Sequence, residues 1–167
     1  SMRGGAWEAA KIELLRSLAG LGDRQRFYLI FFDRELHAIP QPGGTEPARH
    51  ALYATPENLA HAQRWIASLR VASGGPPNAA LQCAIDLEPD AIYFLTDGVT
   101  SADVTGFLRD CNRIDDLIVG QQVRVPIHSL AFYSLEGRDL LQQIAAENRG
   151  QFVYVPDPRK SAGGGRR

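Results

Sequence analysis

With 167 residues the chain has the length of one domain and can bury about two thirds of the surface that its unfolded form exposes, so no second domain is required. Its 18 basic and 19 acidic residues leave a formal net charge of −1 and form neither a basic stripe nor an acidic tail, which removes electrostatic support for nucleic-acid or anionic-membrane partners. Cys83 and Cys111 lack C-x-x-C spacing and nearby His partners, so no metal knuckle or disulfide framework is indicated, and no apolar stretch approaches the roughly 20 residues of a membrane span.

Residues 6 to 21 place Trp7, Leu14, Leu18 and Leu21 on one face, with Glu8, Lys11, Glu13 and Arg16 between them, the pattern of an amphipathic helix. Phe27 to Phe32 is a continuous apolar run and predicts a strand buried on both faces in a parallel sheet; Leu36 to Ile39 is a shorter strand. Pro40 to Pro56, with its prolines and the Gly43-Gly44 pair, reads as a surface loop. Thr55-Pro56 then opens a helix, Thr as N-cap and Pro in the first position, with Leu59, Ala62, Ile66 and Leu69 inward.

Ser73-Gly74-Gly75-Pro76-Pro77-Asn78 is a tight loop leading into a short helix through Leu81 and Ile85. Its two prolines remove N–H groups that a phosphate cradle would use. Ala91 to Leu95 is the next buried strand, Ala102 to Cys111 a helix, Ile127 to Phe132 a strand, Gly137 to Asn148 a helix stopped by Gly150, and Phe152 to Val155 the last strand. The Gly/Arg-rich tail, residues 156–167, is expected to be disordered. This alternation predicts an α/β fold with a doubly wound, mainly parallel sheet and helices on both faces.

Phe94-Leu95-Thr96-Asp97-Gly98 carries the functional signal. An apolar run ending in Asp-Gly delivers one carboxylate to the edge of a sheet, where open α/β proteins place their sites, although the same residues also suit an ordinary turn. His128 lies inside an apolar strand, and His37, His50 and His61 lie in no motif, so no catalytic triad assembles. Asp33, in Phe-Phe-Asp-Arg-Glu, sits at another strand end and reads either as turn chemistry or as a partner for Asp97.

Three segments in order, Ser1-Met2-Arg3-Gly4-Gly5 before a helix, a Gly-Gly loop before Ala-Leu, and Phe-Leu-Thr-Asp-Gly after a strand, resemble a von Willebrand factor type A domain over nearly the whole length. The resemblance implies a domain over residues 1–155, a Rossmann-like fold and a metal-ion-dependent adhesion site. That site is built from Asp-x-Ser-x-Ser, a middle-loop Thr and the Asp of Thr-Asp-Gly, hard oxygen ligands suited to Mg²⁺ or Mn²⁺. Ser1 matches the last Ser of that motif and Asp97 the third-loop acid. The motif's Asp and first Ser are absent, and Gly75 or Pro76 replaces the Thr, so the site is degenerate. Metal is expected only with an upstream Asp-x-Ser-x-Ser segment. Ser1-Met2 reads either as the end of that motif or as a cloning remnant.

In the family the strand before the first helix is central, so a chain lacking it is expected to be poorly stable. Each forfeited apolar side chain is worth about 1.5 to 3 kcal/mol, against the roughly 5 to 15 kcal/mol of a whole domain. The expected function is a noncatalytic protein-interaction module whose partner surface comprises Ser73, Gly74, Gly75, Asn78, Asp97, Gly98 and Ser101. The alternative is a phosphatase-like or receiver-like α/β protein using Asp97 as metal ligand or phosphoryl acceptor, chemistry that needs a second acid.

Overall fold

The computed structural model describes residues 5–70, 74–96 and 103–157. The chain divides into two compact units, one within Arg3–Gly75 and the other from Pro76 onward.

In the first unit α1 (Gly5–Ala19) is followed by the strands β1 (Arg26–Phe27), β2 (Ile30–Phe32), β3 (Leu36–Ala38) and β4 (Leu52–Tyr53), and then by α2 (Pro56–Ser68). The run from Phe27 to Phe32, expected as one parallel strand, is an extended segment that changes partners. Phe27 pairs antiparallel with Leu52, and Ile30 to Phe32 pair antiparallel with Ala38 to Leu36. Burial alone made the run look parallel; the return chain through Leu36 lies close enough in sequence to form a hairpin first. Asp33 makes that hairpin's turn, its Oδ1 accepting from Glu35 N at 2.8 Å and lying 3.2 Å from His37 Nε2. The segment 40–51, expected as a loose loop, is tied inward: Tyr28 Oη donates to Ala48 O at 2.7 Å and Ala48 N to Ile39 O at 2.8 Å. Leu18, Phe27, Leu29, Ile39, Ala62 and Ile66 form the unit's buried core. Phe31 stands edge-on to both Trp7 and Trp65, ring centroids 5.5 Å apart in each pair. Thr55 caps α2 by accepting from Asn58 N.

The second unit runs α3 (Asn78–Asp86), β5 (Ile92–Thr96), α4 (Val104–Cys111), β6 (Arg113–Asp116), β7 (Gly120–Val123), β8 (Ile127–Phe132), α5 (Arg138–Glu147) and β9 (Phe152–Val155). Strands β5, β8 and β9 form a three-stranded parallel sheet in that order, with Ile92 opposite Ile127 and Ser129 opposite Phe152. Parallel neighbours need crossovers, which α4 and α5 provide. Residues alternate across the sheet: Ile92, Phe94, Ile127, Ser129 and Ala131 are buried, and Tyr93 between them is exposed. α5 lies on the buried face, where Ser129 Oγ donates to Leu141 O at 2.6 Å, a close approach that its small side chain permits. His128, on the other face, stacks on Tyr93 with centroids 4.9 Å apart, and its Nδ1 accepts from Gln151 N. The α/β class is therefore present, with one parallel sheet of three strands and three antiparallel pairs among the described residues.

α5 ends through Asn148, Arg149 and Gly150. Gly150 N donates back to Ala145 O at 2.9 Å, closing a Schellman turn whose left-handed residue is Arg149, φ +55°, rather than the glycine. Gly150 is required for another reason: a Cβ there would lie 1.8 Å from Ile127 O on β8. Replacing Arg149 by Gly removes a left-handed strain of about 1–2 kcal/mol. Arg149→Gly is therefore expected to raise the melting midpoint by roughly 2–4 °C per kcal/mol at this chain length, and Gly150→Ala to lower it, both read by circular dichroism melts.

An ion pair joins the two crossover helices, with Arg109 Nε and Nη2 donating to Glu147 Oε2 and Oε1 at 2.9 and 2.6 Å. This fork, with a further hydrogen bond from Gln143, holds the Glu147 carboxyl below its ordinary value of 4.5. Because the folded value is the lower one, the contribution is complete above pH 4.5 and is lost as pH falls through the depressed value. Melts across that acid range are expected to show a shallower decline for Glu147→Gln than for the wild type; parallel declines would remove the linkage.

Candidate functional site

The parallel sheet gives the second unit a direction. β5 and β8 run side by side, Thr96 opposite Ala131, and β5 ends at Thr96, so that the next residue in sequence, Asp97, follows directly at the strand's carboxyl end. Loops at that end are the ligand-binding edge of open α/β sheets. Ser1, Ser73, Asp97, Gly98 and Ser101 lie outside the described residues; Gly74, Gly75 and Asn78 lie within them. Gly74 and Gly75 fall in the first unit and Asn78 in the second.

Gly74 adopts φ +87°, which an L side chain rarely tolerates. Gly75 is more tightly constrained, since a Cβ there would lie 1.5 Å from Asp33 O and 2.4 Å from Asp33 C. This is one of the two loop positions, Gly75 or Pro76, at which the resemblance implies a metal-binding Thr, and the backbone of the β2–β3 turn fills the space that a side chain at 75 would need. Asn78 opens α3 next to the buried Pro77, and its Oδ1 is a buried acceptor without a hydrogen-bond partner. It is a hard oxygen of the kind a divalent ion accepts, but one amide oxygen does not replace the hydroxyl and carboxylate set such an ion requires. The described part of the loop thus does not fit the ion, and the described residues elsewhere contain no group of three His, Cys, Asp or Glu arranged to hold one.

At the far end of the third loop, Asp103 is committed to capping. Its Oδ1 accepts from Gly106 N at 2.8 Å and from Thr105 Oγ1 at 3.2 Å at the start of α4. Cys83 and Cys111 are half-buried free thiols, and burial raises both above the ordinary thiol value, which favours the protonated form.

Sequence reasoning left residues 112–124 unread, and a buried polar network of the second unit is anchored there. Asn112 is fully buried; its Nδ2 donates to Val125 O at 2.8 Å and to Asn148 Oδ1 at 2.9 Å, and its Oδ1 accepts from Val125 N at 2.9 Å. Arg113 Nη1 donates to Asn148 Oδ1 and Asn112 O, and its Nη2 to Glu147 O at 2.8 Å. An Asn at the end of one predicted helix and another at the end of the next was the only sequence signal available. The network ties together the ends of α4 and α5 and the start of β8, at the end of the sheet opposite Thr96.

An α/β unit with parallel strands joined by helical crossovers is the class of protein that this geometry defines. No family model matches the chain, and no curated protein matches it. Solved structures do. The fold is similar to a von Willebrand factor type A protein from Catenulispora acidiphila, with a TM-score of 0.67 and 20% identity, covering 93% of this chain and 35% of that one. It is also similar to the conserved hypothetical protein BatB from Bacteroides thetaiotaomicron, with a TM-score of 0.62 and 14% identity, covering 93% of this chain and 82% of that one. This chain therefore spans about a third of the length of the first of these proteins. At such identities the likeness is one of fold. No helix among the described residues is long and apolar enough to cross a membrane.

Restoring the hydroxyl at position 75 is expected to fail on steric grounds. Gly75→Thr and Gly75→Ala should both lose about 1–3 kcal/mol, the usual cost of overpacking, when measured by urea melts. Gly75→Thr should also gain no midpoint on addition of Mn²⁺; a metal-dependent gain would show that the loop can open around Asp33.

Proposed function

We propose that the chain is a noncatalytic protein-interaction module of von Willebrand factor A type, gripping a protein partner with the loops at the carboxyl ends of its strands, around Ser1, Ser73 to Asn78 and Asp97 to Ser101. The observation that carries the reading is the direction of β5, which runs parallel to β8 and ends at Thr96, the residue before Asp97 in sequence. The sheet would be completed in the doubly wound manner, with helices on both faces. The similarity in fold to a von Willebrand factor type A protein supports this reading. The partner is held without a metal ion: Gly75 has no room for a hydroxyl ligand, and Asn78 brings a single amide oxygen. Asp97 would accept hydrogen bonds or pair with a cation on the partner, and phosphoryl transfer would call for a second acid beside it.

The test is a thermal melt of the chain with millimolar Mg²⁺ or Mn²⁺ against EDTA, run beside an assay of phosphate-ester hydrolysis, for the wild type and Asp97→Ala. A ligand at about 100 times its dissociation constant adds about 2.7 kcal/mol, which the midpoint registers clearly. The expected outcome is no metal-dependent shift and no turnover in either protein. A rise that Asp97→Ala removes would make the grip metal-mediated, and turnover lost in Asp97→Ala would make the protein an enzyme.

A further inference from the structure

The β6–β7 hairpin ends in three consecutive apolar residues that face solvent almost completely: Leu117 is 104% exposed, Ile118 94% and Val119 71%. Ile114 on the adjoining strand is half exposed. The tip is held in shape from beneath. Asp116 Oδ1 accepts from Ile118 N at 2.8 Å and Val119 N at 2.9 Å, and Gly120 takes φ +82° opposite Asp116, closing a three-residue loop. The base is clamped as firmly, since Arg113 is bonded to Asn148 and the end of α5, and Arg124 to Glu88 at 2.7 Å. Both arginines of the segment are thus occupied at the base. The outward stretch, residues 114–123, carries Asp115 and Asp116 and no basic residue.

We propose that this hairpin is a second docking element, inserting Leu117, Ile118 and Val119 into an apolar pocket, rimmed by cationic side chains, on a partner protein. It lies at the amino ends of β5 and β8, opposite the loops of the proposed binding edge, and is independent of that reading. The charge selects the occupant: two aspartates beside an apolar tip meet repulsion at phosphate headgroups and attraction at a basic rim. A second copy of the chain is disfavoured, because its tip would bring the same two aspartates and no basic residue to the contact. Preset geometry and a small cluster of apolar anchors are what a docking knob needs.

The experiment places a photo-crosslinking amino acid at Gln121 of the full chain in a lysate of the source cells. The competitor is a cyclised peptide of residues 113–124, set against the same peptide carrying Leu117→Asp and Ile118→Asp. The expected result is one crosslinked protein that the apolar peptide displaces and the Asp-bearing peptide does not, with yield falling as salt is raised. The full chain carrying Leu117→Asp and Ile118→Asp should lose about tenfold in yield with its melting midpoint unchanged. Asp97→Ala should retain the crosslink, which separates this surface from the binding edge. The proposal is overturned by the absence of a peptide-displaceable crosslink. Either of two results would overturn it as well: flotation of the chain with phosphatidylcholine or phosphatidylglycerol vesicles, or a dimer in sedimentation that the paired Asp substitutions abolish.

Discussion

The buried amide pair Asn112–Asn148 is the constraint on which the second unit depends. Each side chain has acceptors and donors to satisfy, and each stands at the end of a helix, where backbone groups lose their intrahelical partners. Asn112 bonds both backbone groups of Val125 and reaches Asn148; Asn148 Nδ2 returns to Ile144 O, and its backbone carbonyl accepts from Ile127 N at 3.0 Å. An orphaned buried amide would cost about 1–3 kcal/mol, so the set is cooperative: α4, α5 and β8 keep their mutual positions or several groups lose partners together. Arg113 extends the network to the hairpin, which makes the hairpin's root part of the same rigid assembly.

That fixing of one end has a consequence at the other. Strands pinned at their amino ends run in parallel toward their carboxyl ends, and loops held on a rigid scaffold are the usual arrangement of a binding edge. Gly75 marks where the first unit closes its own packing, against the carbonyl of Asp33. The space left at position 75 accommodates backbone and no side chain.

Sequence legibility followed how locally each feature is encoded. Ile127 to Phe132 and Phe152 to Val155 were readable to the residue, since apolar runs bounded by Val125-Pro126 and Gly150 leave no other placement. Thr55-Pro56 announced α2 through capping chemistry that acts over three residues. The pairing of Phe27 to Phe32 was not readable, because burial pattern says how covered a strand is and not which partner covers it. Residues 113–123 were missed for a sharper reason: the turn is apolar and the strands are polar, the inverse of the usual hairpin signal. Of the candidate site, the strand that ends at Thr96 was visible in the apolar run before it. The closeness of Gly75 to Asp33, forty-two positions apart in sequence, was not.

Turns are ordinarily polar because their side chains help satisfy a backbone that has left its ladder. In the β6–β7 turn the carboxylate of Asp116 performs that task from one position, and hydrogen bonds from Val119 and Ile118 hold it below its ordinary value of 3.8, hence charged at neutral pH. The side chains of Leu117, Ile118 and Val119 are thereby released from satisfying the turn, and, largely exposed, they lie outside the unit's core. Contiguous exposed apolar side chains carry an aggregation risk, which Asp115 and Asp116 beside them limit by charge. A rigid, charge-guarded apolar tip that neither folding nor solubility requires finds its physical account in a surface outside this chain.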